Sequence, residues 1–266
     1  METMTNGLVR YEKDASGVAV IELYNPPANA YSVEMMRDLD EAILRARFDD
    51  GVFVILLRGA GEKFFCAGAD IAMLGKVTTA YKYAFCLHAN ETMLRLEHTP
   101  KLVVAAISGH CVGGGMEIVM SADLRIAARG TGKMGLPEVS LGVLPGTGGT
   151  QRLSRIVGKS RAIELMAKGE LFDFDAAKGM GLVNEVIEPA GFDDAALAYA
   201  RQFCPPGKAS LAVGLLKRAV QTGAEIPLEQ GLALERELQQ RLFESADAKE
   251  GIGAYAEKRK PSFTGR

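Results

Sequence analysis

Cysteines are few in this chain and none lies close to another. Cys66, Cys86, Cys111 and Cys204 form no C-x-x-C pair, which argues against a disulfide framework or a cysteine zinc site and for small apolar thiols in a reducing compartment. Histidine is scarcer still. His88, His98 and His110 have no H-E-x-x-H spacing, and metal ligands come in clusters, so all three are read as surface or packing residues and no metal is expected. An excess of charge of one sign is also lacking. A net charge of −2 and a pI near 6.0 give no global attraction to nucleic acid or to an anionic membrane, though a local basic site for phosphates is compatible with that average. No apolar run approaches the roughly 20 residues that span a bilayer. The first stretch, METMTNGLVRYEKDASG, lacks the apolar centre of a signal peptide and is too acidic for a transit peptide. A soluble, cytoplasmic protein is expected.

Familiar phosphate and nucleophile motifs are missing as well. Gly158-Lys159-Ser160 resembles the end of a P-loop, but Leu153 stands where that motif needs glycine. No G-x-G-x-x-G opens a strand-to-helix turn, and no G-x-S-x-G frames a serine. Asn90-Glu91-Thr92 matches a glycosylation sequon without a secretory context.

What is present is alternation. GVAVIEL (17–23), VFVILLR (52–58) and LVVAAIS (102–108) read as strands, the last two buried on both faces. Residues 124–128 and 182–187 read as shorter strands. Helical spacing runs through 32–48, with Ser32 as N-cap, through 81–96 and through 150–168. From about Phe192 onward the chain is nearly all helical, interrupted by CPPGK at 204–208. Strands alternating with helices imply an α/β core, here residues 1–203, followed by a helical region, 204–266, that caps the core or mediates oligomerisation.

Two loops after apolar strands are crowded with small residues: Phe65-Cys-Ala-Gly-Ala-Asp70, and Gly113-Gly-Gly115 ahead of a helix. Glycine lets a backbone N–H approach a ligand, and the N–H groups at a helix start lack intrahelical partners at the positive end of the dipole. Two such groups aimed at one point would hold an oxyanion. Close packing of a helix across a strand explains the same glycines equally well. Glu117 follows the triplet in the first turn of an apolar helix, where a dipole-compensating charge is the plain explanation. Glu138 sits in GLPEV, in a loop otherwise short of charge, where an N-cap-like role is the plain one. Converging beside an oxyanion site, the two would suit acid–base work on a water or an α-proton.

With these residues the chain resembles the crotonase, or enoyl-CoA hydratase/isomerase, superfamily. The matching segments are NPPANA (25–30), CAGADI (66–71), SGHCVGGGMEI (108–118), GLPEVSLGVLPGTGGTQRL (135–153), AKGMGLVNEVI (177–187) and EKRKPSF (257–263), which span nearly the whole chain in order. The resemblance implies an α/β fold built as a spiral of ββα units with a C-terminal helical trimerisation region, giving a homotrimer or a homohexamer. It implies an acyl-CoA thioester substrate, no cofactor beyond coenzyme A, no nucleic-acid or membrane partner, and a lyase of fatty-acid β-oxidation. Position by position, the backbone N–H groups of Ala69 and Gly114 would form the oxyanion hole, Glu117 and Glu138 would hold the water, and the backbone of Gly146 would help position it. Ala67, Gly68, Asp70, Ile71, Leu136, Lys260 and Phe263 match substrate-binding positions. The activity implied is syn hydration of a trans-2-enoyl-CoA to a 3-hydroxyacyl-CoA, with Glu117 as base on water and Glu138 supplying the α-proton. Double-bond isomerisation or thioester hydrolysis on the same fold, and an RNA-binding hydratase homologue, are the alternatives.

The chain departs from the pattern at one place. Ala72 occupies the position where many hydratases carry a lysine for the CoA phosphates, which leaves Lys76, a turn further on, or the Lys258-Arg259-Lys260 cluster to supply that charge. A solvated helix end explains the cluster equally well. The segment Met73 to Glu97, with Tyr81, Tyr83, Phe85 and His88, is expected to wall the acyl pocket.

Overall fold

The apolar runs assemble into two sheets in the computed structural model, which describes residues 1–266. In chain order the strands are β1 (Glu2–Thr3), β2 (Val9–Lys13), β3 (Val18–Leu23), β4 (Val54–Gly59), β5 (Phe64–Cys66), β6 (Leu102–Ile107), β7 (His110–Val112), β8 (Leu124–Ala128), β9 (Lys133–Gly135), β10 (Phe172–Asp173) and β11 (Glu185–Ile187). The larger sheet has the order β1-β2-β3-β4-β6-β8-β11 and the smaller β10-β9-β7-β5. Pairing is parallel from β3 through β11 in the large sheet and from β5 through β9 in the small one. The chain therefore spirals. Each turn leaves one strand in the large sheet and the next in the small sheet (β4 then β5, β6 then β7, β8 then β9) before a helix carries it back.

Alternation along the central strands explains why the apolar runs are continuous. Ile55, Leu57, Val103, Ala105 and Ile107 point into a cluster of 41 buried residues that also contains Phe65, Cys66, Cys111 and Met134 of the small sheet. Val54, Leu56, Val104 and Ala106 point the other way, onto Phe192, Ala196 and Ala200. With both faces covered, these strands are apolar along their length except at Arg58, near the end of β4, which pairs with Glu22 of the neighbouring β3.

The helices are α1 (Val33–Phe48), α2 (Ile71–Leu74), α3 (Thr79–Glu97), α4 (Gly114–Met120), α5 (Gly149–Val157), α6 (Lys159–Lys168), α7 (Phe174–Gly179), α8 (Phe192–Arg201), α9 (Ser210–Gly223), α10 (Leu228–Phe243) and α11 (Ala246–Ala256). The helix expected over 150–168 is two helices. Gly158 breaks it with φ +83°, a left-handed backbone that ends α5 and re-aims α6. The strand LVVAAIS does not run straight into the glycine triplet either, because β7 intervenes and carries the chain across to the small sheet. None of the helices is long and apolar enough to cross a membrane.

Asp38 ties the N-terminal strands to α1. Fully buried, it accepts from Asn6 N (2.8 Å), Leu8 N (2.8 Å) and Asn6 Nδ2 (2.7 Å). Asp38→Ala leaves the two backbone donors unsatisfied, and the expected loss is about 2–3 kcal/mol of unfolding free energy, read from the urea midpoint.

Candidate active site

Two strand ends of the small sheet build the first part of the site. At the end of β5 the loop Ala67–Asp70 turns through Gly68 (φ +89°), and Asp70 caps α2, its Oδ1 accepting from Ala72 N (2.8 Å) and Met73 N (3.1 Å). At the end of β7 the chain turns through Gly113 (φ +56°) into α4. Gly114 is the first residue of that helix, so its N–H has no intrahelical acceptor. The N–H of Ala69 has no protein acceptor. The two corners abut: a Cβ on Gly68 would lie 3.0 Å from Gly114 N, so only glycine leaves that amide approachable.

Helix α4 is buried along its whole length, and Glu117 is buried with it at 2% exposure. A carboxylate in that setting needs donors. The loop before α5 supplies them: Oε1 accepts from Thr147 N (2.8 Å) and Gly149 N (2.7 Å), and Oε2 accepts from the Thr147 hydroxyl. A Cβ on Gly149 would come within 3.0 Å of Glu117 Oε1, so glycine is what lets that amide reach the carboxylate. Acceptance from three donors is the behaviour of the ionised form, which only accepts.

Glu138 opens a short 3-10 turn, Glu138–Leu141, after Pro137. Its Oε2 is buried without a hydrogen-bond partner, and a Cβ on Gly113 would lie 3.2 Å from its Oε1. Burial pushes its carboxyl up to about 7; the charge of Glu117 adds to the rise, while its own backbone amide and Lys82 oppose it. Two carboxyls in one site thus have contrasting surroundings, one held by donors and one deprived of them.

Both carboxyls open on a cavity of about 340 Å³, which Ala67, Gly68, Ala69, Ile71, Gly114 and Gly146 also line. Leu136 lies behind it in the core and Asp70 is engaged in its cap. Lys260 and Phe263 are elsewhere: Phe263 N donates to Pro206 O (3.1 Å), and its ring lines an apolar recess with Leu242 and Gly251. Of the expected acyl wall, Tyr81 and Tyr83 are exposed at 42% and 72%, and Phe85 is buried against Tyr31 with ring centroids 5.4 Å apart. From that segment Leu74 and Lys82 line the cavity, joined by Leu141, Val143 and Leu144. Lys82 is its one basic residue, whereas Arg259 is committed to Glu250 and Glu257 and Lys76 lies outside. A larger depression of about 770 Å³ contains neither carboxylate, and its Arg152 and Arg155 are already paired with Glu97 and Glu225.

Cys66 underlies the first corner, Gly68 N lying 3.4 Å from its Sγ. Burial pushes that thiol up to about 12, so it stays neutral and is no nucleophile. No group of three or more His, Cys, Asp and Glu side chains is placed to hold a metal ion.

This geometry can be compared with known proteins. The family model described as enoyl-CoA hydratase/isomerase matches residues 13–266. The chain belongs to that family. A short-chain-enoyl-CoA hydratase of Clostridium acetobutylicum is 39% identical over 244 residues, 91% of this chain and 92% of that protein. A crotonyl-CoA hydratase of Syntrophomonas wolfei is 34% identical over 247 residues, 92% and 94% of the two chains. Among solved structures, an enoyl-CoA hydratase of Geobacillus kaustophilus superposes with a TM-score of 0.94 at 41% identity, covering 97% of each chain. The spiral of ββα units is accordingly the family's fold.

Tyr31, Thr147 and Lys82 are site residues that sequence reasoning missed. Thr147 stands within the LPGTGG turn, beside a glycine that was singled out, and a hydroxyl in so apolar a stretch was the available signal. Tyr31 and Lys82 gave none, since an aromatic after a Pro/Asn loop and a lysine on a helix are ordinary.

Proposed function

We propose that the protein is an enoyl-CoA hydratase, adding water syn across a trans-2-enoyl-CoA to give a 3-hydroxyacyl-CoA. The observation that carries this reading is one cavity into which two carboxyls of contrasting surroundings and two unpaired amides open together. The thioester carbonyl would sit between the N–H groups of Ala69 and Gly114. Glu117 takes a proton from water as the water oxygen bonds to C3. The C2–C3 electron pair moves to the thioester oxygen, where the two amides hold the charge. Glu138, entering protonated, gives its proton to C2, and the carbonyl re-forms. Gly146, on the loop before Thr147, adds a backbone group beside the water.

All of this is acid–base and electrostatic work on an acyl-CoA, and no cofactor beyond coenzyme A enters it. The exposed apolar residues of the C-terminal helices, such as Leu228, Phe243 and Tyr255, support residues 204–266 as a self-association region giving a trimer or hexamer. A cytoplasmic location fits the acyl-CoA substrate.

The test is hydration of a panel of enoyl-CoA thioesters, followed as loss of the conjugated enoyl absorbance. Turnover of crotonyl-CoA is expected, and absence of turnover across chain lengths and branching defeats the reading. The pH dependence is a second check. The active form carries one proton on the carboxyl pair, so kcat/KM falls as pH rises through about 7, where Glu138 loses its proton. Because the net reaction takes up no proton, dehydration of the 3-hydroxyacyl-CoA must show the same limb.

A further inference from the structure

Glu117 has more donors than a general base needs, and one of them is a side chain. A carboxylate offers about four acceptor positions, two on each oxygen. The amides of Thr147 and Gly149 occupy both positions of Oε1, and the Thr147 hydroxyl occupies one of Oε2. One position on Oε2 is left for the water. The Thr147 hydroxyl has a single proton and gives it to Glu117, so its oxygen is free to accept, and the Tyr31 hydroxyl lies 3.2 Å from it. Tyr31 is therefore the donor of that pair, and the two hydroxyls point one way, from Tyr31 through Thr147 to Glu117. All three residues are buried, with exposures of 2%, 1% and 2%. Water does not compete for these bonds, and donors in series polarise one another.

Tyr31 also touches both oxyanion corners. Its backbone pairs with the first, Tyr31 N donating to Gly68 O (2.9 Å) and Tyr31 O accepting from Asp70 N (3.2 Å). Its ring stands against the second so closely that a Cβ on Gly114 would fall 2.1 Å from Tyr31 Cε1. One residue thus spans both amide donors and, through Thr147, the base.

We propose that Tyr31 and Thr147 are positioning residues for the hydration reaction: their hydroxyl relay fixes Glu117, leaves it a single free acceptor position, and registers that position against the Ala69 and Gly114 amides. This rests on the hydratase reading. The other titratable and charged groups around the relay are Glu138, Lys82, Cys66, Cys86 and the Arg152–Glu97 pair, whose Arg152 Nη1 donates to Thr147 O (3.1 Å). None of these is altered by the variants below.

Three variants test it. Thr147→Val keeps the shape and removes the hydroxyl. Thr147→Ser restores it, and Tyr31→Phe keeps the ring against Gly114 and removes only the outer donor. For crotonyl-CoA, Thr147→Val is expected to lower kcat by about 10–10²-fold with KM changed by less than about 3-fold. Thr147→Ser returns kcat to within about 3-fold of the parent, and Tyr31→Phe moves kcat in the Val direction by less. A Val variant with parental kcat, or a Ser variant no better than Val, overturns the proposal.

Infrared difference spectra against Glu117→Gln provide a readout that needs no turnover. The carboxylate band they isolate should shift in Thr147→Val, which removes the hydroxyl that donates to Oε2. An unchanged band overturns the relay. Protein that hydrates nothing yet shows the band shift defeats the hydratase reading and leaves the relay standing.

Discussion

Glu117→Gln lowers crotonyl-CoA hydration by about 10²–10⁴-fold in a protein that stays folded. Glutamine has nearly the same shape, and its carbonyl oxygen can still accept from Thr147 N and Gly149 N in the place of Oε1. It cannot take a proton from water, and its NH₂ meets Thr147 as a donor, so the Thr147 hydroxyl must turn away. Glu138→Gln is expected to fall in the same range by a different route. A neutral amide suits the burial that pushes Glu138 up, so this variant should fold at least as well as the parent, but it has no proton to give C2. Steady-state hydration assays read both effects, and thermal unfolding checks that the fold is intact. Near-normal turnover in either variant would remove the two-carboxylate mechanism.

Lys217→Met is expected to remove about 3–5 kcal/mol of stability, with little effect on the site itself. Lys217 is 5% exposed on α9, and its Nζ lies 2.8 Å from Asp123 Oδ2 and 3.0 Å from Lys101 O. Burial pushes the lysine down and Asp123 up, and the attraction between them opposes both shifts. Asp123 also accepts from Val103 N (2.7 Å) and Gln221 Nε2 (2.7 Å), so the pair links the start of β6, the end of α4 and the helical C-terminal region. Methionine fills the space of the lysine stem but leaves Asp123 buried without its cation. Those two remaining donors place the loss at the lower end of the range. Pairing Lys217→Met with Asp123→Leu should recover part of the loss, because the buried charge is then gone from both sides. Urea unfolding of the single and double variants measures this, and a double variant less stable than Lys217→Met alone would contradict it.

The strands β3, β4 and β6 were legible because burial on both faces keeps nearly every position apolar, a property of the residues alone; the exceptions, Glu22 of β3 and Arg58 of β4, stand opposite each other and form an ion pair. The strands of the small sheet were not legible. Phe64–Cys66, His110–Val112 and Lys133–Gly135 are three residues each, too short for alternation to register, and they are strands because they pair with one another across distant turns. Glycines at 68, 113 and 114 were legible as corners, but whether they served packing or ligand approach was open until the corners were seen to abut.

By itself, then, the sequence determined the α/β class, the order of the central strands along the chain, the two glycine corners and, through motif resemblance, the family and the pair Glu117 and Glu138. Only the tertiary structure decided what those carboxyls face. Glu117 on an apolar helix could have been a surface charge at a helix start; it is a buried acceptor because a loop thirty residues further on aims two amides and a hydroxyl at it. Glu138 could have capped a turn; its free buried oxygen comes from the packing of that turn over the cavity. Tyr31 had no signature at all, since its role depends on a hydroxyl 116 positions away. Local chemistry is written residue by residue, whereas hydrogen-bond satisfaction in a core depends on which distant segments the fold brings together.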